Sequence, residues 1–198
     1  MTTAQHDPRP LFRGALEWAG DLFAGVRAEQ LTDPTPCPEF DVRALLGHLA
    51  STIDRGRVVG EGGDVHTVPE CLSSPGDEWS STLDDVTKRY WEVWSNDALL
   101  DTPVTAPWGT FPGRAAVLVS LNEVLVHGWD LAAATGQNTE ADPQLAQAAY
   151  EVMQRVLPAT PREGLPFGPV VDPAPDAGPT ERLANWCGRV TAPWMHRA

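Results

Sequence analysis

The stretch Val117-Leu-Val-Ser-Leu-Asn-Glu123-Val-Leu-Val-His127-Gly-Trp-Asp130-Leu131 decides the reading of this chain. At about 100° per residue, Leu118, Leu121, Leu125 and Trp129 form one stripe, with Val117, Val124 and Leu131 to one side and Val119 and Val126 to the other. A helix apolar nearly all round is one buried on most of its surface. Its remaining sector holds Glu123, His127 and Asp130. The i,i+4 spacing of Glu123 and His127 stacks their side chains so that both reach one point. A carboxylate among valines is driven toward its neutral form unless its charge is compensated. Two readings meet that need. One is a divalent metal on Glu123 and His127, with Asp130 orienting His127 or a bound water. The other is a Glu123–His127 ion pair on a partly wet face, with Asp130 solvated or in an outward-facing salt bridge.

Working outward, residues 31–38 are a non-helical connector, because Pro34, Pro36 and Pro38 donate no helix hydrogen bonds. Asp41 is a good N-cap for a second helix, and Phe40 and Leu45 stand in the positions of a hydrophobic staple. Val42, Leu45, Leu46, Leu49 and Ile53 form its apolar face, and the glycines at 60, 62 and 63 end it. His48 lies at the flank of that face, beside Thr52, where a bundle helix meets its neighbours. The periodicity predicts a first helix over 11–30 (Leu11, Ala15, Trp18, Leu22, Val26). It predicts a third over 78–99 (Trp79, Leu83, Val86, Tyr90, Val93, Trp94), a fourth over 114–134 stopped by Gly136, and a fifth over 142–157. Residues 105–113 read as a turn-rich lid or connector. Seven prolines and three glycines make 158–179 extended, and a short helix over 180–187 stops at Gly188. There is no internal repeat and little strand signal. The expected fold is all-α: a helical bundle over residues 1–157, then a Pro-rich extension over 158–198 whose terminal helix packs on the bundle.

The length of 198 residues suits one substantial core. No apolar run approaches the roughly 20 residues needed to cross a bilayer, and residues 1–10 lack the basic and apolar regions of a secretory signal. A soluble, cytoplasmic protein is expected. The net charge of −13, from 27 acidic and 14 basic residues, disfavours nucleic acid and anionic membrane surfaces as partners. Cys37, Cys71 and Cys187 are far apart, odd in number and without a CxxC pair, so reduced thiols are expected. Cys37 reads as a small buried hydrophobe, although its loop leads into the helix of His48. The eight tryptophans are expected in the core, and His6, His66 and His196 in solvent. No GxSxG, P-loop or GxGxxG motif is present.

Pro34-Thr-Pro-Cys-Pro-Glu-Phe-Asp-Val-Arg-Ala-Leu-Leu-Gly-His48, followed by Glu123-Val-Leu-Val-His-Gly-Trp-Asp-Leu-Ala132, resembles the actinobacterial metal-binding branch of the DinB/YfiT-like superfamily. Relatives in that branch include the N-terminal domain of mycothiol-dependent maleylpyruvate isomerase. Phe167-Gly-Pro-Val170, Glu181-Arg-Leu183 and Gly188-Arg189 are similar to the branch's tail. The resemblance implies a DinB-like four-helix bundle with a long crossover connection, in which three side chains from two helices hold a divalent metal, often zinc. Matched motif by motif, His48 is the helix-two ligand and Glu123 and His127 are the helix-four pair. Many relatives have histidine where this chain has Glu123, whereas the isomerase relatives have glutamate. The chain is not expected to carry the further C-terminal domain of the full isomerase, so maleylpyruvate is not carried over as substrate.

Two imidazoles and one carboxylate leave an exchangeable position on Zn²⁺, which stabilises a thiolate near neutral pH. The expected function is therefore a metal-dependent, mycothiol-type thiol transferase or isomerase acting on a small electrophilic molecule. Its partners would be that substrate and a low-molecular-weight thiol, and a homodimer is compatible with the sequence. Ni²⁺ and Fe²⁺ suit the same donors. Two rivals use the same residues: a non-catalytic metal- or ligand-binding protein, and a non-haem iron enzyme, since two histidines and a carboxylate also describe the oxygenase triad.

Overall fold

Asp41 caps the second helix as its sequence predicts, its carboxylate accepting from the Ala44 N–H at 2.8 Å. A computed structural model describes residues 7–195. Its main elements are α1 (Arg9–Gly25), α2 (Val42–Gly60), α3 (Trp79–Trp94), β1 (Pro103–Ala106), β2 (Gly109–Pro112), α4 (Gly113–Thr135), α5 (Pro143–Val156) and α6 (Pro179–Trp186). The expected stop at Gly136 is where α4 ends, in the left-handed conformation that glycine adopts without strain. Asp142 caps α5 through the Gln144 N–H, with Pro143 in the first turn, where a missing N–H costs nothing. Two helices are shorter than their predicted bounds. α1 stops at Gly25 and the chain continues as a 3-10 turn, Ala28–Gln30, while α3 stops at Trp94 before a second such turn, Asp97–Leu100.

Residues 105–113 are not wholly a connector. Most of them belong to an antiparallel hairpin pairing Val104 with Phe111 and Thr105 with Thr110. The alternation that builds it, Val104 and Ala106 inward with Thr105 outward, spans only four residues per strand. At its tip Trp108 is 65% exposed and stacks on Phe111, the one tryptophan among the described residues that is on the surface. Trp79, Trp94 and Trp129 are buried, and Trp18, Trp91, Trp186 and Trp194 are half-buried.

α2 packs against α3 and α4, and α1 against α4 and α3, so α1 and α2 face each other across the diagonal of a four-helix bundle. The connection over 26–41 therefore has to cross the bundle end. The core contains Phe12, Leu45, Leu49, Ile53, Tyr90, Trp94, Leu121 and Leu125, all fully buried. On α1 the buried face is Phe12, Ala15, Leu16, Ala19, Leu22 and Phe23, rotated from the predicted stripe so that Leu11, Trp18 and Val26 lie at its edge. Against the expectation that no apolar run is long enough, α4 could cross a membrane by length and composition alone. Of that stretch 72% is buried inside the bundle, as in the core helix of a soluble protein.

α5 packs on α4 and α1, and α6 packs on α5 and α4. The Glu140 carboxylate accepts the Thr180 and Glu181 N–H groups at 2.9 and 3.1 Å, fixing the start of α6 to the α4–α5 connection. Trp129 and Ala133 of α4 pack with Ala184 and Trp194 of the extension.

Candidate metal centre

α2 and α4 bring His48, Glu123 and His127 together, with one donor atom from each lying within 4.8 Å of the others. The imidazoles are edge to face, ring centres 4.8 Å apart and planes at 80°. His48 is held by the segment over 69–72, which runs along α2. The Leu72 N–H donates to the Gly47 carbonyl at 2.9 Å, and the Ser51 hydroxyl donates to the Pro69 carbonyl. Gly47 permits this approach, because a Cβ there would sit 2.3 Å from the Leu72 carbonyl oxygen. His48 Nδ1 is 3.1 Å from the Glu70 carbonyl oxygen, which can only accept, so Nδ1 carries the proton and Nε2 keeps its lone pair. Phe40 stacks on the other face of the ring, centres 4.6 Å apart. The predicted staple residue thus also walls the site.

His127 is 8% exposed. Its Nδ1 is 3.1 Å from Asp130 Oδ2, and its Nε2 is 3.8 Å from Glu123 Oε2. Hydrogen-bonded to a carboxylate, Nδ1 is the donor, which leaves Nε2 as the ring nitrogen facing Glu123 and the shared point. Asp130 is neither solvated nor outward-facing: it is fully buried, and Arg189 of the extension clamps it. The guanidinium donates from Nε to both carboxylate oxygens, at 2.9 and 3.0 Å, and from Nη2 to Oδ2 at 2.9 Å. Burial opposes ionisation of Asp130, but the charge of Arg189 and the hydrogen bonds from His127 and Arg189 outweigh it and hold the carboxyl below its ordinary range. Burial, with the adjacent positive potential of His127, lowers His48 to about 4. His48 is therefore neutral at physiological pH, the form that binds a metal.

The donor set fits a divalent ion. Ligands about 2.1 Å from a tetrahedral zinc lie roughly 3.4 Å apart, and Glu123, with a side chain 31% exposed, has the freedom to close the remaining gap. Cys37 is buried as expected, yet its Sγ also lies within 4.8 Å of donor atoms on His127 and Asp130. Burial raises its pKa. Cys187, also buried, donates to Asn122 Oδ1 at 3.6 Å, and burial together with the charge of Glu123 pushes it up to about 12. No disulfide joins the three cysteines. His66 is exposed, and His6 and His196 lie outside the described residues.

Three contributors were not assigned a role by sequence reasoning: the Glu70 carbonyl, Gly47 and Arg189. The first is a backbone group, which no residue type announces. Arg189 enters the sequence reading only through the resemblance of Gly188-Arg189 to the branch's tail.

Fold and site together define a helical bundle with a two-histidine, one-carboxylate cluster between two core helices. The chain belongs to the mycothiol maleylpyruvate isomerase N-terminal domain family, which it matches over residues 12–132. That span contains His48, Glu123, His127 and Asp130 and leaves out Arg189. Uncharacterized protein Rv0738 of Mycobacterium tuberculosis (strain ATCC 25618 / H37Rv) and uncharacterized protein MT0763 of strain CDC 1551 / Oshkosh are each similar to it. Each is 28% identical over 185 residues, covering 92% of this chain and 98% of the relative. No solved structure matches significantly.

Proposed function

We propose that this protein binds one divalent metal, zinc in the first instance, through His48, Glu123 and His127, and is a mycothiol-type thiol transferase or isomerase acting on a small electrophilic molecule in the cytoplasm. The observation that carries the reading is the convergence of two imidazoles and a carboxylate within 4.8 Å, each imidazole anchored at Nδ1 so that Nε2 is left for the ion. A zinc ion there supplies a Lewis acid that keeps a thiol as thiolate near neutral pH. The chain's own side chains place and orient. Glu70 and Asp130 fix the ring tautomers, Phe40 covers one face of His48, and the partly exposed Glu123 marks the side open to ligands.

The attacking sulfur comes from an external thiol. Cys37 and Cys187 are buried, out of reach of a dissolved substrate, and Cys71 is only partly exposed. Mycothiol is the thiol that the family's description names.

The test is calorimetric titration of mycothiol into zinc-loaded protein, metal-free protein and zinc-supplemented Glu123→Ala. Saturable binding confined to the zinc-loaded wild type, with release of about one proton as the thiol ionises, is expected. Equal binding by the metal-free protein contradicts the reading. Iron at one equivalent in protein purified without added metal would favour the non-haem iron enzyme.

A further inference from the structure

We infer that Arg189, in the extension beyond the family's matched residues, is a positioning residue for the metal centre: it sets metal affinity by fixing Asp130, which in turn fixes His127. The inference rests on the metal reading above and goes beyond it by placing control of the site in the C-terminal segment.

The geometry is a three-member relay. Arg189 grips both oxygens of Asp130 with three hydrogen bonds of 2.9 to 3.0 Å, which determine the position and plane of the carboxylate. Asp130 Oδ2 holds His127 Nδ1 at 3.1 Å, and the opposite nitrogen of that ring faces Glu123. Asp130 is fully buried, so no solvent stands in for Arg189 if the clamp is lost. Arg189 is itself held from behind. Its N–H donates to the Ala184 carbonyl at 2.9 Å and its carbonyl accepts from Asn185 Nδ2 at 3.1 Å. Gly188, at φ 93°, turns the chain against Gly168, where a Cβ would come within 2.7 Å of backbone. The end of α6 is thereby built to present one guanidinium to one carboxylate.

A second arginine separates positioning from simple support of the extension. Arg162 donates to the carbonyls of Pro158, Gly168 and Trp186 at 2.7 to 2.8 Å, tying the extension together without a hydrogen bond to Asp130 or His127. Loosening the extension through Arg162, which also holds the Gly168 carbonyl behind Gly188, should weaken the relay only in part. Losing Arg189 should break it.

The experiment measures Zn²⁺ affinity by competition with a chromophoric chelator, and the visible absorption of the Co²⁺-loaded protein, for the full chain. The proteins compared are wild type, Arg189→Lys, Arg189→Met, Asp130→Ala, Asp130→Ala/Arg189→Met and Arg162→Ala. Arg189→Met leaves a buried carboxylate unpaired and risks the fold. Arg189→Lys keeps the charge while losing the fork, and the double variant leaves no charge unpaired. The expected loss of affinity is roughly 10–100-fold for Asp130→Ala and several-fold or more for Arg189→Lys, with an altered Co²⁺ spectrum. Arg162→Ala should lose less affinity than Arg189→Lys, and the double variant should bind no more weakly than Asp130→Ala, because Arg189 acts only through Asp130. Wild-type affinity and spectrum in Arg189→Lys, an equal loss in Arg162→Ala, or additive losses in the double variant would overturn the inference while leaving the metal reading standing. A wild type that binds no zinc overturns both.

Discussion

His48 and His127 sit on different helices and are prepared for the same task by different means, one by a backbone carbonyl and the other by a clamped carboxylate. The depressed pKa of His48 has a measurable consequence. An unfolded histidine binds protons below about pH 6.5, whereas the folded one resists until about pH 4. The unfolded state therefore holds more protons between those values. His48's contribution to stability is intact above about pH 6.5 and is lost as the pH falls toward 4. Thermal unfolding of the metal-free protein at pH 7.5 and 4.5 should show His48→Gln gaining on wild type at the lower pH. An unchanged difference in Tm would contradict the burial of His48. Glu123 and His127 were legible in the sequence because an otherwise apolar helix leaves them one shared face. His48 was legible mainly through its Pro-rich lead-in and family likeness, since one histidine at the edge of a helix face has many uses. The clamp on Asp130 was not legible at all: Arg189 is 59 residues away in a segment whose path no local periodicity describes.

At the scale of elements, α4 organises the molecule, and its glycine shows how closely it is packed. A Cβ on Gly128 would lie 2.3 Å from Trp18 of α1, in the turn that carries His127. Gly128→Ala should cost about 1–3 kcal/mol by overpacking. Gly20→Ala, where nothing lies within 4 Å of the new Cβ, should stabilise α1 by roughly 0.4–1 kcal/mol. Urea unfolding of both variants checks the contrast, and equal effects would argue against the packing of α1 on α4. The same tight packing explains why α4 could be read from sequence: burial on nearly all sides leaves an unusually apolar pattern. The hairpin over 103–112 could not, because strands of four residues with two prolines give alternation too short to stand out. The stops of α1 and α3 fall where their apolar stripes end, at Val26 and Trp94, and the residues predicted to continue the helices form 3-10 structure set by the tertiary fold.

For the whole molecule, the metal is expected to add to a fold that stands without it. The centre lies at the edge of a continuous core drawn from all four bundle helices, unlike small domains whose metal replaces a core. Chelation should leave the far-ultraviolet circular dichroism near its native value. Zinc at about 100 times its Kd should add roughly 2.7 kcal/mol of stability, and this gain should be absent from His127→Ala. Wholesale loss of helicity on chelation would instead make the ion a structural element. Whether His48, Glu123 and His127 form one metal site is decided by elemental analysis of the purified chain and its three single alanine variants. One divalent ion per wild-type chain and substoichiometric metal in each variant, with helicity retained, are expected. One ion per chain in Glu123→Ala and His127→Ala, or none in the zinc-supplemented wild type, would contradict such a site.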